Sequence, residues 1–278
     1  MRSKFLSVTI VMLSCVLMII LSSCNQINTD EDRFYVDDDN RLTMIDIEKT
    51  GSDIIVPEKV GNTIIHDIYL ESSHFSKIDS LDVSNVSELE YFTLELWGGG
   101  SYSKLKKLDF SKNKKLRHVT VNKTKALEEI AFNEDCKSIG LYNTSVKELD
   151  LKSMKKLEYF DYSNGPLESI DLSNNTNLKQ VWIDNANIKT VDIKKLKKLR
   201  NIIFYGVPLE ELDISNNPNL VAVRTYNTNV KVLDVSNNPK LERIEVDEGT
   251  EIIGETNAEI KYWTKEDIER WEEKSKDN

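Results

Sequence analysis

Three histidines (His66, His74, His118) and three cysteines (Cys15, Cys24, Cys136) are the side chains of this 278-residue chain best suited to bind metal or attack a substrate. Their spacing suits neither task. The nearest histidines, eight apart, form no ligand pattern. There is no H-E-x-x-H, no G-x-S-x-G, no phosphate-cradling glycine loop and no Cys/His metal spacing. Carboxylates are plentiful: 47 Asp+Glu stand against 37 Lys+Arg, a net charge of −10. Close acid pairs are inevitable at that density and do not by themselves make a hydrolase. The same charge argues against binding nucleic acid or docking on anionic membrane. No catalytic residue, metal or cofactor is therefore expected, and the chain is read as a non-enzyme. What recurs instead is tyrosine, tryptophan, aspartate and arginine at fixed intervals. The chemistry of that set is contact: broad amphipathic rings with directional polar groups beside them.

One cysteine has a separate role. Arg2 and Lys4 precede a charge-free apolar run, residues 5–21, which ends in Leu21-Ser22-Ser23-Cys24. This order describes an export signal. Its end resembles the lipobox of bacterial lipoproteins. That resemblance implies a signal peptide over 1–23 and acylation of Cys24 as the first mature residue, hence an outer-membrane lipoprotein, with exposure at the cell surface as a further option. The alternative is an uncleaved span, for which 17 apolar residues are at the short limit. Residues 24–33 read as a lipidated acidic tether. Cleavage removes two basic residues, giving 35 − 47 = −12. Cys136 is then the one unblocked thiol and is expected to be a buried small hydrophobe.

The elements that must position the contact residues come from a repeat. Asp150, Asp171, Asp192, Asp213 and Asp234 follow one another at intervals of 21, each flanked by apolar residues. Seven residues after each stands a leucine, at 157, 178, 199, 220 and 241. Ten after come Phe160, Val181, Ile202, Val223 and Ile244, and twelve after come Tyr162, Ile183, Phe204, Thr225 and Val246. One such unit cannot bury its own apolar residues, so neighbours must stack around a shared core. The tenth and twelfth positions then point inward from a short strand. Asn175, Asn217 and Asn238 are suited to bond neighbouring backbone, whereas Met154 and Leu196 take the same place as buried apolar groups. The anchor aspartates read as turn acids, since a repeated position does not converge on one centre. Upstream the register drifts: Asp109 precedes Asp150 by 41, and Asp82 precedes Asp109 by 27, with the excess in Leu96-Trp97-Gly98-Gly99-Gly100-Ser101-Tyr102.

Here the sequence resembles the leucine-rich repeat family, in its 21-residue L-x-x-L-D-[LIV]-S-x-N bacterial lipoprotein form. Leu178-x-x-Val181-x-Ile183 and LDISNNPNL at 212–220 carry the likeness. It covers roughly residues 78–250. The resemblance implies a leucine-rich repeat solenoid with short parallel β-strands on one face and turn or 3-10 arms. A β-hairpin N-terminal cap is expected over 34–77. A C-terminal cap is expected over 251–278, with a helix at 264–276 that closes the last repeat and starts at the capping box Thr264-Lys265-Glu266-Asp267.

Positions nine, eleven and thirteen after each Asp should face outward. They present Tyr142, Tyr159, Asp161, Trp182, Asp184, Tyr205, Arg224 and Tyr226, the candidate binding residues. The alternative is a cross-strand aromatic ladder that only stiffens the sheet. The family resemblance implies a binding module whose partner is another protein. A glycan is the alternative partner, and a purely structural envelope role is the third reading. A monomer is expected, with the lipid at Cys24 as its only tie to membrane and no contact with nucleic acid.

Overall fold

A computed structural model describes residues 32–71, 77–95 and 104–275. The expected signal peptide, Cys24, most of the tether, His74 and the glycine-bearing insertion lie outside the described residues. No helix among the described residues is long and apolar enough to cross a membrane.

The chain winds into a solenoid whose spine is one twelve-stranded sheet in sequence order. Its strands are β1 (Phe34–Val36), β2 (Arg41–Ile45), β3 (Asp67–Glu71), β4 (Tyr91–Glu95), β5 (His118–Asn122) and β6 (Ser138–Tyr142). They continue as β7 (Tyr159–Ser163), β8 (Gln180–Asp184), β9 (Asn201–Tyr205), β10 (Ala222–Tyr226), β11 (Arg243–Asp247) and β12 (Glu259–Trp263). β1 and β2 pair antiparallel, and every later pairing in this sheet is parallel. A four-residue helix, α1 (Ile47–Thr50), is capped by Asp46. A second hairpin joins Lys59–Val60 to Thr63–Ile64 around the Gly61-Asn62 turn, inside the connection between the parallel strands β2 and β3.

The alternation expected of a half-buried strand holds along the central rungs, and lapses in the edge strands β1 and β12, where Tyr262 is exposed. Val181 and Ile183 are fully buried and Trp182 between them is exposed. Phe160, Ile202, Val223 and Ile244 stack with Val181 in one inner row, and Tyr162, Phe204, Thr225 and Val246 stack with Ile183 in the next. Tyr162 keeps its hydroxyl satisfied inside the core by donating to the Val146 carbonyl at 2.8 Å and accepting from the Leu167 N–H at 3.1 Å.

Two polar columns hold the turns. The Oδ1 of Asp82, Asp109, Asp150, Asp171, Asp192, Asp213 and Asp234 accepts the backbone N–H two residues on, at 2.8–3.1 Å. Asn113, Asn133, Asn175, Asn217 and Asn238 are buried, and each amide donates to two carbonyls of the preceding rung at 2.8–3.0 Å. Met154 and Leu196 fill that place with buried side chains. A third column was not expected from the sequence. Lys123, Asn143, Asn164, Asn185, Gly206 and Asn227, directly after the strands, all have φ of 47–60° and turn the chain away from the sheet. At 206 glycine takes the place, and a Cβ there would meet Asn185 Oδ1 at 2.3 Å, so that a side chain at 206 would require Asn185 to turn aside.

The C-terminal helix α2 (Lys265–Ser275) starts as expected. Thr264 Oγ1 accepts the Asp267 N–H at 3.1 Å while the Asp267 carboxylate accepts the Thr264 N–H and hydroxyl. β12 extends the sheet beyond the last full repeat, and α2, the expected C-terminal helix, folds back so that Ile268 packs on Tyr205 and Tyr226 of the outward face.

Candidate binding face

The outward sides of the strands form a wall three residues high. Its lower row reads Tyr91, His118, Ser138, Tyr159, Gln180, Asn201, Ala222 and Arg243. The middle row runs Tyr69, Thr93, Thr120, Gly140, Asp161, Trp182, Ile203, Arg224 and Glu245, and the upper row Glu71, Glu95, Asn122, Tyr142, Ser163, Asp184, Tyr205 and Tyr226. The wall has two parts of different character.

In the part built from β9 to β12, the protein covers its own face. Tyr205 and Tyr226, expected as outward anchors, are only 3% and 8% exposed. They point to the outward side as the alternation demands, but Ile268 of α2 and Trp263 pack on them. Tyr226 stacks on Trp263 at 4.6 Å and 8°, and lies against Tyr205 at 5.1 Å. The Tyr205 hydroxyl donates to Glu272 Oε1 at 2.6 Å, and burial and that carboxylate both push its pKa up. These two tyrosines therefore seat the helix and are not open to a ligand in this structure. Arg224 is likewise engaged: its Nε donates to Glu245 Oε1 at 3.0 Å. Arg243 meets the same oxygen at 2.9 Å and the Trp263 indole N–H meets Oε2 at 3.0 Å, which makes the 6%-exposed Glu245 a fully partnered buried carboxylate. The sequence signal for this arrangement was present in Trp263 and the capping box, but nothing local says on which surface a helix will land.

From β3 to β8 the wall is open. Tyr69, Tyr91, Tyr159 and Trp182 are each 39–47% exposed. Tyr91 stacks flat on His118 at 4.6 Å. Among the described residues Tyr142, Tyr159 and Trp182 stack on no other ring. Tyr142 lies back over Gly140, where an added Cβ would meet its ring at 2.8 Å, and it donates to Asp161 Oδ2 at 3.4 Å. Gln180 donates to Asp161 Oδ1 at 3.0 Å. Burial raises the Asp161 pKa despite these bonds. Asp184 is pushed further, to about 6, by burial, with the Ser163 hydroxyl at 3.3 Å as the opposing influence. Its Oδ1 is buried without a hydrogen-bond partner.

Elsewhere the site reading is bland. Cys136 is buried and its pKa is raised to about 11 by burial, the behaviour of a packed hydrophobe. No group of three or more His, Cys, Asp or Glu among the described residues is placed to hold a metal ion. A shallow groove of about 830 Å³ on another side, lined by Lys107, Glu128, Glu129, Lys147 and Glu148 among others, has mixed charge, with Lys107 and Glu129 paired at 3.2 Å.

No family model matches the sequence, and no curated protein matches it either. Among solved structures, the functional domain of InlJ from Listeria monocytogenes, which includes a cysteine ladder, superposes with a TM-score of 0.53 at 19% identity. The match covers 76% of this chain and 52% of that one, so this chain spans about half the length of the InlJ chain. The internalin InlF from Listeria monocytogenes str. 4b F2365 matches at a TM-score of 0.36 and 12% identity, over 80% of this chain and 82% of its own. The plant peptide hormone receptor RGFR1 in complex with RGF2 matches at 0.36 and 13%, over 85% and 53%. With the inner rows, the parallel spine and the InlJ superposition together, the fold is a leucine-rich repeat solenoid.

Proposed function

We propose that this chain is a non-enzymatic binding module of the 21-residue bacterial lipoprotein repeat type, held to the outer membrane through lipid on Cys24 and recognising another protein through the open wall of β3 to β8. The observation that carries the reading is the exposure of Trp182 and Tyr159, at 39% and 40%, diagonal neighbours on adjacent strands of a rigid parallel sheet. Exposed aromatics on a scaffold that does not need them for packing are the usual anchors of an interface. Six strands at about 4.8 Å spacing give a strip about 24 Å long, a fair share of a standard interface.

The test is the double variant Tyr159→Ala/Trp182→Ala. Its melting temperature should stay within a few degrees of the parent, because both side chains are surface groups, while partner capture on cells falls by about tenfold or more. A large loss of stability with capture intact would make the rings a stiffening ladder. Selective sugar binding that depends on Trp182 would move the reading to a glycan receptor. Anchoring is tested separately: Cys24→Ser should release the protein from the membrane fraction, and protease shaving of intact cells reports whether it faces outward.

A further inference from the structure

The open wall carries charge of one sign only. The eighteen outward positions of β3 to β8 hold five carboxylates, Asp67, Glu71, Glu95, Asp161 and Asp184, and no lysine or arginine. With 37 such cations in 278 residues, chance would place two or three there. Among the described residues none of the five enters an ion pair. Their recorded partners are neutral: Asn122 donates to Glu95 at 3.1 Å, Gln180 and Tyr142 to Asp161, and Ser163 to Asp184. Asp67 feels Arg41 and His66 nearby, but Asp161 and Asp184, set beside exposed rings and partly dehydrated, have no such cation acting on them and are poorly accommodated in the free protein.

The covered part of the same wall shows what satisfies such an acid. Glu245 occupies the middle row as Asp161 does, and there two guanidinium groups and an indole N–H close on it. The rings of this face also accept cations: Lys261 Nζ sits 3.3 Å from the Trp263 ring centroid and Lys179 Nζ 5.9 Å from that of Tyr159. Basic side chains do stand just below the lower row, where Lys179 already bridges Glu158 at 2.5 Å. They steer an incoming cation upward, toward the middle and upper rows.

We infer that the partner of this wall presents an arginine- or lysine-rich protein segment, whose cationic heads pair with Asp161 and Asp184 and whose stems lie on Trp182 and Tyr159. The inference rests on the protein-binding reading above and narrows it to one class of partner. Arginine satisfies both halves of the site, since its guanidinium bonds carboxylates in pairs and its planar surface stacks on rings.

The probe is a short labelled peptide alternating arginine and leucine, with a twin carrying glutamate for arginine, followed by fluorescence anisotropy with the full chain. The arginine peptide should bind and the glutamate twin should not. Asp161→Asn/Asp184→Asn should weaken binding about tenfold, and Trp182→Ala by a similar factor. Glu210→Gln/Glu211→Gln, which removes the same charge from an exposed loop away from the wall, should leave it unchanged. Circular dichroism confirms that each variant folds. Equal loss in the loop variant, binding of the twin, or no binding of the arginine peptide each overturns the inference. A photo-cross-linking residue in place of Tyr159, used in the native cells, separates the two claims. A cross-linked protein with no affinity for arginine leaves the wall as an interface and removes only the cationic partner, whereas silence in both removes both.

Discussion

Asp184 is held at a cost to the fold. Burial raises its pKa to about 6, against about 3.9 in an unfolded chain. A carboxyl whose folded pKa is raised binds its proton more tightly when folded. Its ionised form therefore penalises the native state, fully above about pH 6, with relief as pH falls from 6 toward 4. Asp184→Asn keeps the shape and a donor–acceptor amide beside Ser163. It should raise the melting temperature near pH 8, with the gain disappearing by about pH 4, as followed by thermal melts across that window. The turn aspartates Asp109, Asp171, Asp213 and Asp234 have lowered pKa values, caused by their bonds to the backbone and side chain of the residue two further on. They run the other way, and their contribution is lost as pH falls below about 4. The opposite fates of these acids were half legible in the sequence. The 21-residue spacing marks the turn acids, since position alone implies an Asx turn. Dehydration of Asp184 depends on its neighbours across the sheet, Ser163 and Tyr205, neither of which is near it in the chain.

At the scale of elements, the asparagine column is the device that fastens one turn to the next. Asn217 donates to the carbonyls of Ile193 and Leu196, and each of those carbonyls already accepts a backbone N–H. Loss of the amide therefore does not orphan them. Asn217→Leu, which copies what Leu196 does one rung earlier, should cost about 1 kcal/mol, while Asn217→Ala leaves a void as well and should cost about 2–3 kcal/mol. Urea unfolding of both variants measures the difference. This column and the inner rows were readable because they repeat. The left-handed column after the strands was equally periodic, in Asn143, Asn164, Asn185 and Asn227, with Gly206 filling the 21-residue step between the last two. The landing site of α2 was not readable. Its cap and apolar residues define a helix with one greasy side, but the open end of the stack and the aromatic wall offer similar apolar surface, and only Tyr205 and Tyr226 together with Glu272 decide between them.

Across the whole molecule, stability is a sum over neighbouring rungs. An error in one inner row is therefore felt on both sides. Val181 is fully buried between Phe160 and Ile202. Val181→Asp places an unpaired charge there and should cost more than about 4 kcal/mol. Hydrogen exchange should show lost protection concentrated in β7 to β9 before the ends of the solenoid are affected. The same additivity is why the fold was so much more legible than the ligand. A core must recur in every rung, whereas an interface need occur only once.

One consequence follows from the way α2 reaches back from β12 to β9. From Thr264 to Glu272 the helix advances about 12 Å, and three strand spacings measure about 14 Å, so the bridge to Tyr205 is matched to a fixed number of turns. A duplicated unit spliced between β3 and β8 would lengthen the protein and its open wall while leaving that bridge intact. The same duplication between β9 and β12 would stretch the span to about 19 Å, out of the side chain's reach. The number of rungs is thus free to change on one side of β9 and clamped on the other, so the geometry admits added or lost units only in the half of the wall that the helix leaves uncovered.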